Sequence, residues 1–364
     1  MMLLLISLLF SGWAQAMLHH LFVGDIDGTS LYALEMDDTA RTISLIKQSS
    51  AAGASPSIVF DRSKVYLFGS RPSDGTVSRY AVATDLSLQH EGTMNIPQLC
   101  NTTQFTSIKL STGPSWPYWI YGSATTGNCS ALFSTSSSGF YTIRSKEIAG
   151  DIRSLAWSPS GQHLYALDFK ANTVLNFNIP EEPSLEELID TALLSDVTTP
   201  RQMTAHPKAQ RIYVVTQDSN ELLDIPLLVN DQIDANMTAT RHAVLPSYLN
   251  NSDFTTQSLA VSFTNTTLWT ISRSYGMTVV SAFDLHPETG EVTKPIARAS
   301  WTDYSGSVDT LIAAAPFAGD IIAVTNSPMG MVAVIGLKDG RIMSYGRVDL
   351  GNDPGCCGEG AWLN

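Results

Sequence analysis

The sequence predicts an all-β fold, a seven-bladed β-propeller closed by pairing of the N- and C-terminal segments in one blade. Three observations predict it. Residues 152–167 and 200–215 repeat one pattern: a short alternating strand, a turn carrying Pro159 or Pro207, and a second strand carrying Tyr165 or Tyr213. Their separation matches the period of about 40–50 residues of a four-stranded blade. Weaker copies recur at 57–69, 105–122, 258–271 and 310–324, bringing the copies to six. Finally, the ends complement each other. Residues 21–24 and 31–34 read as a blade without its first strand, and Gly360-Ala361-Trp362-Leu363 reads as a first strand with nothing after it. Joining them makes a seventh blade and hides sheet edges.

Taken in order, the chain starts with an apolar run over residues 1–10 and a small-x-small site at Ala14-Gln15-Ala16. The run is too short to span a bilayer, so residues 1–16 read as a signal peptide and 17–364 as a single propeller domain. A secreted or secretory-lumen protein is expected. In the first complete blade Val77-Ser78-Arg79-Tyr80 reads as a third strand, and Ala131-Leu132-Phe133 does so in the second. The acidic stretch at 180–199, with Glu181, Glu182, Glu186 and Glu187, reads as a solvated outer connection. Residues 230–256 read as an exposed excursion.

Composition narrows the function. A chain of 364 residues, 44% hydrophobic and 15% charged, is globular, and its net charge of −13 excludes nucleic acid and anionic membranes as partners, which would require a basic patch. N-glycosylation sequons stand at Asn101, Asn128, Asn236, Asn250 and Asn265. The four cysteines allow three pairings; Cys100 with Cys129 would bridge neighbouring loops, leaving Cys356 and Cys357 as a vicinal disulfide or two thiols.

No GxGxxG after a strand, P-loop, HExxH, CxxC pair or GxSxG is present, and His206-Pro207 and His286-Pro287 sit in turns. No cofactor and no metal is expected. The repeat itself supplies geometry, because inner-strand starts and the turns after the second strands meet at one end of the channel. The starts are Ser57, Arg153, Arg201, Gln257, Ser307 and Glu359; the turns bring Asp25, Arg71, Lys170, Gln217, Arg273 and Asn326. Several guanidiniums thus converge in an acidic protein, either to bind an anion or carbonyl or to pair with carboxylates such as Asp25, Asp218 and Glu359.

Leu18-His19-His20-Leu21, the Arg153 and Arg201 repeats, Ser272-Arg273 and Gly360-Ala361-Trp362 together resemble the fungal 3-carboxy-cis,cis-muconate lactonising enzymes. Bacterial 6-phosphogluconolactonases are wider relatives. The resemblance implies a seven-bladed propeller with a pocket of one His, one Glu and two Arg. It places the two Arg on Arg201 and Arg273, the His on Arg153 and the Glu on Gln217. Arg stays protonated and Gln does not titrate, so the oxygen-binding half of that pocket is kept and its proton-transfer half is lost.

A third branch of similar propellers comprises fungal hetero-Diels–Alderases of tropolone–sesquiterpene pathways. Their ring-forming step moves no proton and gains rate from pose and from polarisation of a carbonyl. The resemblance therefore implies, first, a cofactor-independent cyclase joining an oxygenated, polyketide-derived quinone methide to a terpene alkene. In that reading Arg153, Arg201 and Arg273 are catalytic, and Gln217, Gln257, Lys170, Asn326 and Glu359 bind substrate. Glu359 and Asp25 are candidate acids, and Tyr275 and Tyr304 would wall an apolar half. The alternatives are a muconate-type lactonising enzyme and a non-catalytic extracellular anion-binding propeller.

Overall fold

Short apolar runs with period-two alternation become strands wherever one face can be buried. The structure, a computed structural model, describes residues 17–25, 29–51, 56–96, 105–116, 118–127, 129–136, 142–180, 187–194, 197, 199–234, 238–302, 310–317, 319–325, 330–351 and 356–364. The signal-peptide expectation for residues 1–16 lies outside them.

The strands form seven four-stranded antiparallel sheets, each with its first strand innermost. Blade 1 holds β4 (Ile58–Phe60), β5 (Tyr66–Arg71), β6 (Thr76–Val82) and β7 (Leu88–Asn95). Blade 2 holds β8 (Ser107–Thr112), β9 (Ile120–Thr126), β10 (Cys129–Thr135) and β11 (Thr142–Ala149). In blade 3 are β12 (Ile152–Trp157), β13 (His163–Asp168), β14 (Thr173–Asn178) and β15 (Glu187–Leu193). Blade 4 contains β16 (Pro200–Ala205), β17 (Arg211–Thr216), β18 (Glu221–Pro226) and β19 (Thr240–Ala243). Then come blade 5, with β20 (Thr255–Val261), β21 (Thr267–Arg273), β22 (Met277–Leu285) and β23 (Val292–Thr302), and blade 6, with β24 (Leu311–Ala314), β25 (Asp320–Thr325), β26 (Met331–Lys338) and β27 (Arg341–Asp349). The last blade joins the ends: β28 (Cys356–Trp362) lies inside β1 (Leu18–Asp25), β2 (Ser30–Asp37) and β3 (Thr42–Ser50).

The innermost strands touch in an unbroken circle, β4–β8–β12–β16–β20–β24–β28 and back to β4. Apolar layers fill the spaces between sheets. Tyr165 and Leu167 of blade 3 pack with Met203 and Val214 of blade 4, and Trp269 and Ile271 of blade 5 pack with Ile322 and Val324 of blade 6. Each such side chain, buried fully, contributes about 1.5–3 kcal/mol.

Polar latches supplement the packing. The N–H groups of Leu110, Met203 and Ile312 donate to the hydroxyls of Ser57, Ser154 and Ser258 on the preceding blade, at 3.1, 3.0 and 3.1 Å. Leu259 N–H donates likewise to Gln202 Oε1 at 3.0 Å. Inner-strand groups that no ladder satisfies are thereby paired.

Closure is made as the ends predict. Leu21 pairs with Trp362, Phe22 with Ala361 and Val23 with Gly360. The buried Trp362 donates its indole N–H to Ala313 O of blade 6 at 3.1 Å, while its carbonyl accepts from Lys64 Nζ of blade 1 at 2.7 Å.

Two expectations are corrected. Within the acidic stretch, residues 187–193 form the outermost strand of blade 3, not a connection. The 230–256 excursion contributes β19 and a 3-10 turn at Asn251–Asp253. Asn250 is exposed beside that turn, and Asn265 is half-buried in a tight turn at φ 61°; Asn101, Asn128 and Asn236 lie outside the described residues. Cys100 and the Cys356 side chain lie outside the described residues, so the expected cysteine pairings lie outside them too.

His206 holds the turn between β16 and β17. Its Nδ1 accepts from the N–H groups of Lys208 and Ala209 at 3.1 and 2.8 Å, so the ring is neutral with its proton on Nε2, which donates to Asn265 O at 3.1 Å. Burial, with the charges of Lys208 and Arg211, lowers its pKa below 6.5. Below that value the unfolded chain takes up a proton that the folded one resists. The stability from neutral His206 is thus present above 6.5 and lost as pH falls through the folded pKa. The melting temperature is expected to drop between about pH 7.5 and 5.5, and His206→Ala to flatten that slope while costing about 1–3 kcal/mol. An unchanged slope in this variant, read by thermal melts, would refute the assignment.

Candidate functional site

The innermost strands do not begin regularly. In blade 3 Ile152 pairs with Asp168 but Ser154 with Leu167, so Arg153 is an extra, bulged residue. The same slip in blade 4, between Pro200 and Gln202, extrudes Arg201, and in blade 5, between Thr256 and Ser258, it extrudes Gln257. A bulge re-aims the side chain it carries. Three consecutive blades therefore present a bulged residue at one end of the channel, and two of the three are arginines.

Asp151 organises the arginines. Its Oδ2 accepts from Arg153 Nε and Nη2 at 2.9 and 2.7 Å, while the Arg153 guanidinium carbon lies 3.8 Å from the Phe169 ring centroid. Stacking with pairing in this way fixes a planar guanidinium. Arg201 lies beside this pair. Burial first, and the Arg153 charge second, push its pKa down to about 10, against the opposing pull of Asp151. Arg201 stays charged at neutral pH, so two guanidiniums lie within electrostatic reach of Asp151.

The loop beneath is shaped by Asp168. Buried, it takes the N–H groups of Asp151, Lys170 and Ala171 on Oδ1 at 3.2, 2.9 and 3.0 Å. Gly150 makes room for it: at φ 146° a Cβ there would lie 2.1 Å from Asp168 Oδ2.

A second ionic group spans the channel. Glu359 on β28 accepts Ser57 Oγ–H at 2.5 Å and Lys109 Nζ at 3.0 Å. Lys109 is on β8, so its side chain reaches past blade 1. Lys109, Asp151 and Phe169 were not among the sequence candidates. Asp151 could have been found two residues before Arg153; Lys109 sits two positions inside its strand and carries no comparable signal.

The remaining candidates fare differently. Gln257 Oε1 accepts Thr310 N–H at 2.7 Å, which makes it a tie between blades 5 and 6, with its Nε2 3.4 Å from Thr255 Oγ1. Arg273 is buried, with Nη1 3.4 Å from Thr310 Oγ1, and stands against the inter-blade wall. Gln217 is half-buried and donates weakly to Asp218 at 3.4 Å, and Lys170 is exposed. Arg71 pairs with Asp74 in its own turn at 3.2 Å, and Asp25 accepts from Thr29 Oγ1 at 2.7 Å. Tyr275 is 84% exposed. Ser307, Tyr304 and Asn326 lie outside the described residues.

This is a seven-bladed propeller with a guanidinium-bearing channel mouth. No protein-family model matches the chain, and no curated protein matches its sequence. Solved structures do match. The periplasmic gluconolactonase PpgL of Pseudomonas aeruginosa superposes with a TM-score of 0.75 at 16% identity, over 96% of this chain and 99% of that one. A candidate 6-phosphogluconolactonase of Bacteroides uniformis gives 0.73 at 14%, over 95% and 99%. Kluyveromyces lactis Hsv2 gives 0.58 at 10%, over 90% and 100%. At these identities the likeness establishes the fold.

Gly150→Ala is expected to cost about 1–3 kcal/mol, since its backbone angle and the Asp168 carboxylate both reject a side chain. A thermal melt matching that of the unsubstituted protein would contradict this reading of the loop.

Proposed function

We propose that the chain is a small-molecule enzyme of lactonase type, opening or closing a lactone at the Arg153–Arg201 end of the channel. The observation that carries this reading is the pair of guanidiniums held beside Asp151. Two of the similar folds bear lactonase names, which supports the same choice.

In ring opening, water adds to the lactone carbonyl carbon and the developing oxyanion takes hydrogen bonds from Arg153 and Arg201. The bond from that carbon to the ring oxygen then breaks. Glu359 accepts one proton of the attacking water and returns it to the departing ring oxygen, while the water's other proton is lost to solvent, leaving a hydroxy acid whose carboxylate stays on the arginines. Lys109 and Ser57 orient Glu359. An ionisable carboxylate is thus available although Arg153 and Gln217 occupy the positions where the resemblance places a histidine and a glutamate.

A second reading, the hetero-Diels–Alder cyclase, is favoured by that replacement, because its ring-forming step needs only carbonyl polarisation by the same arginines. An anion-binding propeller without turnover is the third. Export is part of the proposal, supported by the apolar leader and the sequons; the N-terminal residue of the protein recovered from the producing cell's medium tests it, with Met17 expected.

Hydrolysis of hydroxy-acid lactones followed by pH-stat should show turnover, with Arg201→Gln and Arg153→Gln each lowering kcat/KM by about 10²-fold at unchanged melting temperature. Undiminished turnover in both variants would remove these arginines from the site. Inertness toward every lactone, with conversion of a quinone methide and an alkene, would establish the second reading instead.

A further inference from the structure

The other end of the ring carries a feature unconnected with the arginines. Between blades 2 and 3, where the innermost strands end, lies a cleft of about 520 Å³. Three of the seven tryptophans in the chain line it, Trp116, Trp119 and Trp157, together with Tyr121. Core packing explains part of this: Trp157 meets Tyr121 edge-on at 4.8 Å and donates its indole N–H to Ser111 Oγ at 3.1 Å. It does not explain Trp116, which is 79% exposed at the tip of the β8–β9 loop. That loop is fastened, since Gly113 N–H donates to Trp119 O at 2.7 Å and Arg62 Nη1 donates to Pro114 O at 2.6 Å. Trp119 also keeps its indole N–H buried with no hydrogen-bond partner among the described residues. A donor in that state is costly unless something supplies an oxygen.

The rest of the lining decides the ligand class. Ser115, Ser160, Gln162 and Asn178 contribute hydroxyl and amide groups, and no described lining residue is charged. Ser160 and Gln162 form the ridge to an adjoining cleft of about 540 Å³, whose wall adds the amides of Gln210, Asn230 and Gln232 and one charge of each sign, Lys208 and Asp231. One surface therefore joins exposed indole faces to a run of amides. Indole faces take the apolar C–H faces of sugar rings, amides and hydroxyls take their hydroxyl groups, and the lack of charge around the tryptophans, with Lys208 beyond them balanced by Asp231, favours a neutral ligand over a phosphate or carboxylate.

From this juxtaposition we propose that the cleft between blades 2 and 3 binds a neutral oligosaccharide, with Trp116 as a stacking platform and the amides beyond Gln162 receiving the next sugar units. The site is distinct from the arginine mouth and does not rest on the lactonase reading.

Titration of the intact protein with neutral gluco-, manno- and chito-oligosaccharides, read by tryptophan emission and calorimetry, tests it. At least one series should bind saturably, and Trp116→Ala should weaken binding by about tenfold or more. Gln162→Ala should weaken longer oligomers more than short ones. Both substitutions are at exposed positions and should leave the melting temperature and any lactone turnover unchanged. No binding up to about 10 mM of any neutral series, or binding that survives both substitutions, would overturn the proposal. So would equal or tighter binding of polygalacturonate, since that ligand requires a net positive charge that the surface lacks.

Discussion

The pairing of β28 with β1 is the constraint on which the rest of the molecule depends. Seven twisted sheets joined end to end would leave a bare inner strand and a bare neighbour. One antiparallel ladder between the chain's last and first strands removes both. Trp362 concentrates this closure, being buried, donating to blade 6 and accepting from blade 1. Once the circle is closed, each innermost strand has a fixed neighbour on either side, and the serine and Gln202 latches find their partners. Only then do residues far apart in sequence, such as Lys109 and Glu359, meet across the channel.

The electrostatics of the mouth follow from that rigidity. Burial first, and repulsion from Arg153 second, lower the pKa of Arg201 and make it costly to hold the two guanidiniums together. Bulged backbone, Phe169 beneath Arg153 and the Asp168-bound loop hold them there nevertheless. A packed scaffold can carry this cost because its own stability comes from the apolar layers between blades, away from the channel. An oxyanion placed between the arginines would relieve the repulsion, which links the strain of the site to what it would bind.

Much of the fold was legible because first strands such as residues 152–157 alternate, while second and third strands, buried on both faces, read as short apolar runs bounded by turns. The outermost strand of blade 3 was not, since residues 188–193 are mostly exposed, with Ala192 alone buried, and acidic solvent-facing strands look like loops. The site was legible in outline. Arg153 and Arg201 stand out as cations at repeat starts in an acidic chain, but a bulge is a slip in pairing and leaves no mark in the residues that carry it. Counting from strand starts equated Gln257 with the arginines, and the bulge does place it alike, but its Oε1 is held by Thr310 N–H. The same counting passed over Lys109. Tyr275 misled in another way: aromatic character said nothing about direction, and its ring faces solvent.

The central claim is that the bulges of blades 3 and 4 aim two guanidiniums at a single oxyanion. A crystal structure of the protein soaked with a hydroxy acid such as gluconate addresses it most directly. The account requires the carboxylate to lie within hydrogen-bond distance of both Arg153 and Arg201, with Asp151 still paired to Arg153. A carboxylate bound elsewhere in the channel, or arginines turned away from each other in the occupied structure, would contradict it.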